Sequence, residues 1–444
     1  MRVMISAGEA SGDLHGASLA QAAQRTPELK FFGLGGDQMR AAGVELVAHL
    51  SETAVMGLTE VVGSLGRILN IQKTMANLLV SQPPAALVAI DSPDFNFPLV
   101  KKAHKLGIPV IYYICPQIWA WRSGRLKFLA RYCDRRVVIF PFEKDYYEKR
   151  GVSADLVGHP LLDRLNPLTK LEARKILGLN PDQPVLALLP GSRQALVKRL
   201  APPLLQAAEI LGQKFPDLQV ALPRAQSLAP AFLSQILRRA PALTQAKTRV
   251  YDGQSQVVLA AADAALLASG TSTVEGTLLR LPMVVAYRTS ALSYLLARLL
   301  VKVPYIAITN LLMGEMVIPE LIQGQANPRL LAQTIEPLLQ PGPARELAIA
   351  GLEAAAEKLG RAGAADRVLE IILEQISRAQ KSQTQKKMAL NEPGPCPSEP
   401  ESSKTGSSKT GSSNLVASKA SLSETNLAEN CSPANPATQR APHD

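Results

Sequence analysis

Short apolar runs that end in Gly, Ser, Pro or Asp, each leading into a helical pattern, recur along this chain and restrict its fold more than any other feature. They fall at residues 3–6, 31–33, 87–90, 109–114 and 136–139, and again at 185–189, 218–222, 249–251, 264–267 and 282–286. Short runs alternating with helical stretches imply βαβ units and parallel sheets. Pro160, Pro167, Pro181 and Pro184 surround a charged helical stretch at 171–177, after which the series starts afresh. Two similar domains account for this better than one long sheet. Aromatics make up only 5% of a chain that is 47% apolar, so the core rests on Leu, Val, Ile and Ala, as in sheets covered by helices on both faces. The expected class is α/β, with two Rossmann-like domains facing a central cleft. The expected segments are 1–165, 166–344, a helical stretch at 345–378 that is interrupted near 360–363, and a polar tail at 379–444. That tail, with KSQTQKK and SSKTGSSKTGSS, has the composition of a disordered segment.

Cys115, Cys133, Cys396 and Cys431 form no CxxC pair, which argues against a zinc ribbon or dithiol site and favours a reducing compartment. The chain passes from Met1 straight into Val3-Met4-Ile5, too short for a signal-peptide apolar region. No apolar run is long enough to span a bilayer. The net charge is +11, which suits nucleic acid, anionic lipid or phosphorylated small molecules. With no zinc-finger spacing and no RNP-type aromatic strand, nucleic acid is not expected as a partner.

Four strand ends carry polar groups suited to a ligand. Gly8-Glu9-Ala10-Ser11-Gly12-Asp13 follows the first run. Glycines there let a ligand approach the backbone or simply make a tight turn; Glu9 and Asp13 suit sugar hydroxyls better than phosphate, and Ser11 is a further candidate to line the cleft. Asp91-Ser92-Pro93-Asp94 follows a buried run. Asp91 there can accept the proton of an attacking hydroxyl, or Asp91 and Asp94 can cap the next turn. Gly191-Ser192-Arg193 offers a guanidinium fork and neutral donors to a diphosphate, unless Arg193 is only a surface ion pair. Ser269-Gly270-Thr271 opens another helix, with Ser269 or Thr271 as its cap and Glu275 placed for ribose hydroxyls. Gln117, Trp119 and Trp121 are candidates to line an acceptor site or to pack, and His159 stands at the domain break.

Two apolar stripes have helical spacing and basic neighbours. Leu58, Val61, Val62, Leu65, Ile68 and Leu69 form one, and Leu292, Leu295, Leu296, Leu299, Leu300 and Val303 the other. Either can face the core or an anionic membrane surface.

Taken together, AGEASGD at 7–13, AVMGLTEV at 54–61, IDSPDFN at 90–96, PQIWAWR at 116–122, PFEKDYY at 141–147, GHPLLD at 158–163, LLPGSR at 188–193 and LLASGTSTVE at 266–275 resemble the lipid-A-disaccharide synthase family. The resemblance runs over roughly 1–375. It implies a two-domain inverting glycosyltransferase of the GT-B type. The implied reaction transfers diacylglucosamine from its UDP derivative to the 6-hydroxyl of diacylglucosamine 1-phosphate. Asp91 would be the base and Glu9 an active-site carboxylate. Ser192, Arg193 and Glu275, with Ser269, Gly270 and Thr271 at the same strand end, would serve UDP. The first apolar stripe would meet the inner face of the bacterial cytoplasmic membrane, and the 345–378 helices would cross a domain or subunit junction, as in a homodimer that exchanges them. No DxD motif is present, so neither metal nor cofactor is demanded. Three positions depart from the family pattern: Leu196 replaces a glutamate, Thr309 a proline and Glu315 a basic residue, while Asn310 remains as a ligand candidate. Altered donor or acceptor preference, an epimerase-like UDP-hexosamine enzyme, and a non-catalytic glycolipid or nucleotide binder are the competing readings.

Overall fold

In the computed structural model, which describes residues 1–52, 61–165, 168–301 and 303–391, the strands form two parallel sheets. The first holds β1 (Arg2–Ala7), β2 (Lys30–Gly35), β3 (Glu45–His49), β4 (Ala86–Ile90), β5 (Val110–Tyr113), β6 (Arg135–Val138) and β7 (Asp155–Leu156) in the order β3-β2-β1-β4-β5-β6-β7. The second holds β8 (Val185–Leu189), β9 (Gln219–Arg224), β10 (Thr248–Asp252), β11 (Ala264–Ala268), β12 (Met283–Tyr287) and β13 (Glu320–Ile322) in the order β10-β9-β8-β11-β12-β13. This is the two-sheet Rossmann-like architecture that the alternating runs imply.

The alternation along each central strand explains why helices cover both faces. Val3, Ile5 and Ala7 of β1 enter one apolar cluster while Met4 enters another. In β8, Leu186 and Leu188 face one side and Val185, Ala187 and Leu189 the other. A parallel strand buried on both faces needs this unbroken apolar run. The edge strands β3, β7 and β13 are absent from the sequence reading because they are short and only partly buried, as in Asp155–Leu156 and Glu320–Ile322.

After the second sheet the chain returns to the first. The helix Pro343–Lys358 places Leu352 against the second sheet's core. The helix Ala364–Asn391 then places Val368, Ile372 and Ile376 in the first sheet's cluster. Polar contacts fix the crossing: Arg367 Nε donates to the Val157 carbonyl at 2.8 Å, the Ala365 amide to Asp163 at 3.1 Å, and Arg135 pairs with Glu374 at 2.9 Å. This helix extends past the expected start of the polar tail at 379. Good helix formers and the Arg378–Glu374 pair, one turn apart at 2.6 Å, continue it. The remainder of the tail lies outside the described residues.

Candidate active site

In each sheet the strand order reverses beside the first strand, between β1 and β4 and between β8 and β11. Open α/β sheets hold ligands beyond the carboxyl ends of the strands at such a point. All four polar segments singled out in the sequence begin there, after β1, β4, β8 and β11.

Asp91 and Ser92 follow β4 with φ of 45° and 43°, left-handed values that few non-glycine residues adopt. The surroundings over-determine this turn. The Asp91 amide donates to the Tyr113 carbonyl at 3.1 Å, and the Asp91 carbonyl accepts from the Tyr112 hydroxyl at 2.7 Å and from Asn96 Nδ2 at 2.9 Å. Asn96 is fully buried, and its Oδ1 also accepts from Ser6 Oγ at 2.7 Å, tying the turn to β1. Gly8 is required by close approach, since a Cβ there would lie 2.9 Å from both Cβ and Oγ of Ser92. The two loops therefore lie against each other. That brings Glu9 within electrostatic reach of Asp91: burial first and the Glu9 charge second, opposed by the Ser92 amide, together raise the Asp91 carboxyl to about 6.

A third carboxylate, Glu143, joins this edge from the helix Pro141–Glu148. Its Oε1 accepts from Trp119 Nε1 at 3.0 Å and its Oε2 from the Ile139 and Phe140 amides, each at 3.2 Å. Burial, helped by the Asp91 charge, outweighs those three donors and raises its carboxyl to about 7. Trp119 is half-buried and so neither purely core nor free, while Gln117 and Ser11 are exposed.

At the other sheet, Gly191 has φ of 107° and packs over Leu196, so the glycine loop turns sharply before the helix Gln194–Lys214. Ser192 and Arg193 are exposed at its start, and Arg193 makes no ion pair among the described residues. The expected cap by Ser269 or Thr271 is not made: Gly270 occupies the cap position and Ser269 Oγ donates to the Ile306 carbonyl at 2.7 Å instead. Gly270 and Thr271 are exposed beside it. Glu275 is buried in the helix Thr271–Leu278 and burial raises its carboxyl, against Gln256 and Arg164.

The halves meet here. Val274, next to Glu275, shares an apolar cluster with Ile5, Tyr113 and Ile139 of the first half. Arg164 acts electrostatically on Glu275 and also on His15, whose ring burial takes down to about 4 and which stands 6.2 Å from Tyr113. Two buried polar atoms along this zone, Ser92 Oγ and His15 Nδ1, have no hydrogen-bond partner among the described residues. Orphaned buried groups are rare except where a ligand completes them. His15 and Arg164 escape sequence reading because nothing in their local spacing marks them, and Glu143, although inside the PFEKDYY segment at 141–147, has no role that its neighbours in the chain reveal.

Several candidates are occupied by the protein itself. Both oxygens of Asp13 accept amides that open the helix Asp37–Ala41, from Gly36 at 2.7 Å, Met39 at 3.0 Å and Gln38 at 3.1 Å. Asn310 Nδ2 donates to Ile318 and Glu320 at 2.8 Å and its Oδ1 accepts the Val317 and Ile318 amides at 2.9 Å, so its hydrogen bonds are spent on a loop. His159 Nδ1 accepts the Leu161 amide at 3.2 Å, and burial pushes it down to about 3, leaving a neutral ring unsuited to pairing with phosphate. Asp94 does not cap: it is exposed and pairs with Arg122 and Arg125.

The apolar stripes part ways. In the helix Val61–Ser81 the buried residues are Ile71, Met75 and Leu79, while Ile68 is half-buried and Leu69 is 55% exposed. Leu58 and the side chains of Val61, Val62 and Leu65 lie outside the described residues. The helix Ala291–Leu300 buries no residue and exposes Leu292, Leu295, Leu296, Leu299 and Leu300. Among the described residues, this helix faces no core, while Val303 just beyond it is half-buried. No described helix is long and apolar enough to cross a membrane.

The family model for lipid-A-disaccharide synthetase matches residues 3–361. Lipid-A-disaccharide synthase of Geobacter metallireducens is 44% identical over 380 residues, covering 85% of this chain and 98% of its own length. That of Myxococcus xanthus is 42% identical over 375 residues, 84% of this chain and 97% of its own. Among solved structures, the UDP-GlcNAc 2-epimerase of Neisseria meningitidis bound to UDP-GlcNAc aligns with a TM-score of 0.59 at 12% identity, over 84% of this chain and all of that one. Acinetobacter baumannii MurG aligns with a TM-score of 0.53 at 15% identity, over 84% of this chain and 99% of that one. These two similarities concern the fold.

Proposed function

The chain belongs to the lipid-A-disaccharide synthase family and is a glycosyltransferase joining diacylglucosamine units with release of UDP; from that premise we propose that its two sheets divide the chemistry. Asp91 is the base. The 6-hydroxyl oxygen of diacylglucosamine 1-phosphate attacks the anomeric carbon of UDP-diacylglucosamine, its proton passes to Asp91, and the bond from that carbon to the diphosphate breaks with inversion. A carboxyl near 6 suits this role, because a base works best when its affinity for protons lies close to the working pH. Glu9 raises that affinity and orients sugar hydroxyls.

Ser192, Arg193, Ser269, Gly270, Thr271 and Glu275 hold the UDP portion, with the Arg193 fork stabilising the charge that grows on the leaving diphosphate. The departing UDP already spreads this charge, so no metal enters the scheme. Electrostatics support the division: the spot where Glu9, Asp91 and Glu143 act on one another is hostile to a diphosphate, whereas Arg193 stands exposed at the second sheet's edge.

The exposed leucines of Ala291–Leu300, with Leu69 and Ile68 of the other stripe, meet the inner face of the cytoplasmic membrane, where the acyl chains reside. Leucines clustered on a helix with no buried residue, beside Arg298, support this reading. A homodimer that exchanges the helix Ala364–Asn391 would reuse the contacts of Arg367, Asp163 and Glu374 across the subunits.

One observation carries the assignment of the base: a left-handed, over-determined Asp91 at the sheet's switch point, its carboxyl raised beside a second carboxylate. The test is to incubate the purified protein with UDP-diacylglucosamine and diacylglucosamine 1-phosphate and to weigh the products. A diacylglucosamine disaccharide 1-phosphate formed together with UDP is the expected result; UDP release that needs no acceptor would point to the epimerase-like chemistry instead.

A further inference from the structure

Beyond Asp91 the same edge carries a group of side chains that the reaction above leaves unused. Asp94 is 79% exposed, and two guanidinium groups converge on a single one of its oxygens: Arg122 Nη1 at 3.5 Å and Arg125 Nη2 in closer contact. The ring of Trp121, itself 41% exposed, lies 4.3 Å from the Arg122 guanidinium and 5.8 Å from that of Arg125, which also lies 5.5 Å from the Phe97 ring. Arg122 holds φ of 52°, strained for an arginine. The turn is fixed by the Arg122 carbonyl, which accepts the Arg125 amide at 2.9 Å. An arginine is not needed to make such a turn, and its strain is the kind that persists where a side chain is held for a ligand.

Two guanidinium groups sharing one carboxylate oxygen leave most of their N–H donors unused, because each has five. The cluster has a net charge of +1, and its anion is a single, solvent-washed carboxylate. A phosphomonoester dianion offers three terminal oxygens in the geometry a guanidinium fork fits. Asp94 follows Asp91 by three residues and stands in the first turn of the helix Pro93–Lys105, which places the cluster beside the base. A pyranose whose 6-hydroxyl reaches the base carries its anomeric substituent away from that carboxylate.

We propose that Arg122 and Arg125, converging on Asp94 beside Asp91, form the site that receives the anomeric phosphomonoester of the acceptor sugar. This rests on the reading of Asp91 as the base toward that acceptor and specifies where the acceptor's far end is recognised. Trp121 holds the guanidinium planes and Asp94 occupies the site until phosphate displaces it.

The test compares two acceptors in neutral detergent micelles, diacylglucosamine 1-phosphate and the same sugar with a free anomeric hydroxyl, using the full-length chain. The wild-type preference for the phosphorylated acceptor, as a ratio of kcat/KM values, falls about tenfold or more in Arg122→Ala, with partial recovery in Arg122→Lys. Asp94→Asn moves the other way, lowering KM for the phosphorylated acceptor, because it removes the competing carboxylate. A purely structural cluster would give both acceptors the same loss in Arg122→Ala and a loss in Asp94→Asn; that result overturns the proposal. An unchanged ratio, with binding to phosphatidylglycerol vesicles reduced instead, would assign the arginines to bilayer head groups and equally overturn it. Direct binding of the two acceptors by calorimetry separates this proposal from the wider one. A wild type that makes no disaccharide, yet binds the phosphorylated sugar more tightly and loses that difference in Arg122→Ala, refutes the reaction and keeps the site.

Discussion

Replacing Asp91 by Asn separates the chemistry of this carboxylate from its cost to the fold. Asn tolerates a left-handed backbone as well as Asp does, so the turn at φ 45° is kept. Turnover falls by roughly 10²–10⁴-fold, the usual contribution of a positioned base. Stability changes in the opposite direction, and its pH dependence follows from the raised carboxyl. Below its ordinary value of 3.8 the group is protonated in both folded and unfolded chains; above the folded value of about 6 the folded chain carries the whole penalty of an ionised buried carboxylate. That penalty is about 3 kcal/mol when complete. The difference in unfolding free energy between Asp91→Asn and the wild type grows in favour of Asn by about 2 kcal/mol between pH 4.5 and pH 8. Urea unfolding at the two pH values measures it, and kcat/KM against pH in the wild type shows an acid limb near 6. A stability difference that does not grow with pH, or an activity that is flat from pH 5 to 8, would refute the argument that this carboxyl is both buried and functional.

Other perturbations probe the remaining parts. Arg193→Lys keeps a charge and loses the planar fork, so inhibition by free UDP weakens by about tenfold while the fold is unaffected, as a competition assay and thermal melting would record. Leu292, Leu295 and Leu299 changed together to Ser weaken flotation with anionic vesicles by at least about tenfold without lowering thermal stability, since none is buried; a fall in stability would place this helix in a core after all. Gly8→Ala thrusts a methyl group to within 2.9 Å of Ser92 Cβ and Oγ. It costs about 1–3 kcal/mol in unfolding and lowers kcat through the displaced Asp91 turn.

How much of this was legible in the chain differs between fold and site for a physical reason. β4, β8 and β11 are buried on both faces along their whole length, and β1 from Val3 onward, so these runs are forced to be almost wholly apolar and to end abruptly in Gly, Ser, Pro or Asp. Residues at the ends of central strands were therefore visible, Asp91 and Arg193 among them. Glu143 was not: its importance depends on Trp119 and two backbone amides converging on it, and on the Asp91 charge reaching it through space. Asp13 and Asn310 show the opposite failure. A polar residue at a strand end or in a conspicuous motif looks like a ligand group, yet here both have their oxygens filled by backbone amides of a neighbouring loop. Only the tertiary structure distinguishes a carboxylate offered to a cleft from one already used.

The same distinction bears on the three departures from the family pattern. Leu196 lies where a Cβ on Gly191 would come within 2.8 Å of it and packs against the second sheet's apolar cluster, so this position fills space beneath the glycine loop. Thr309 is buried and its hydroxyl meets that of Thr277 at 2.7 Å, linking the helix Ile308–Met313 to the helix that carries Glu275. A buried hydroxyl is tolerated only with such a partner, so Thr309 and Thr277 act as a pair. Thr309→Val would remove the hydroxyl that meets Thr277, leaving Thr277 only its own bond to the Thr273 carbonyl at 2.8 Å, and loosen the seat of Glu275. Glu315 is different in kind, being exposed after Gly314 and free of ion pairs among the described residues. Two of the departures are thus exchanges of packing, and the third is a surface charge whose reach fades within a Debye length of about 10 Å. If Glu315 has altered donor preference, Glu315→Arg should change the KM for UDP-diacylglucosamine strongly at low salt and little at high salt, whereas Leu196→Glu would place a carboxylate against an apolar cluster and lower stability at any salt concentration.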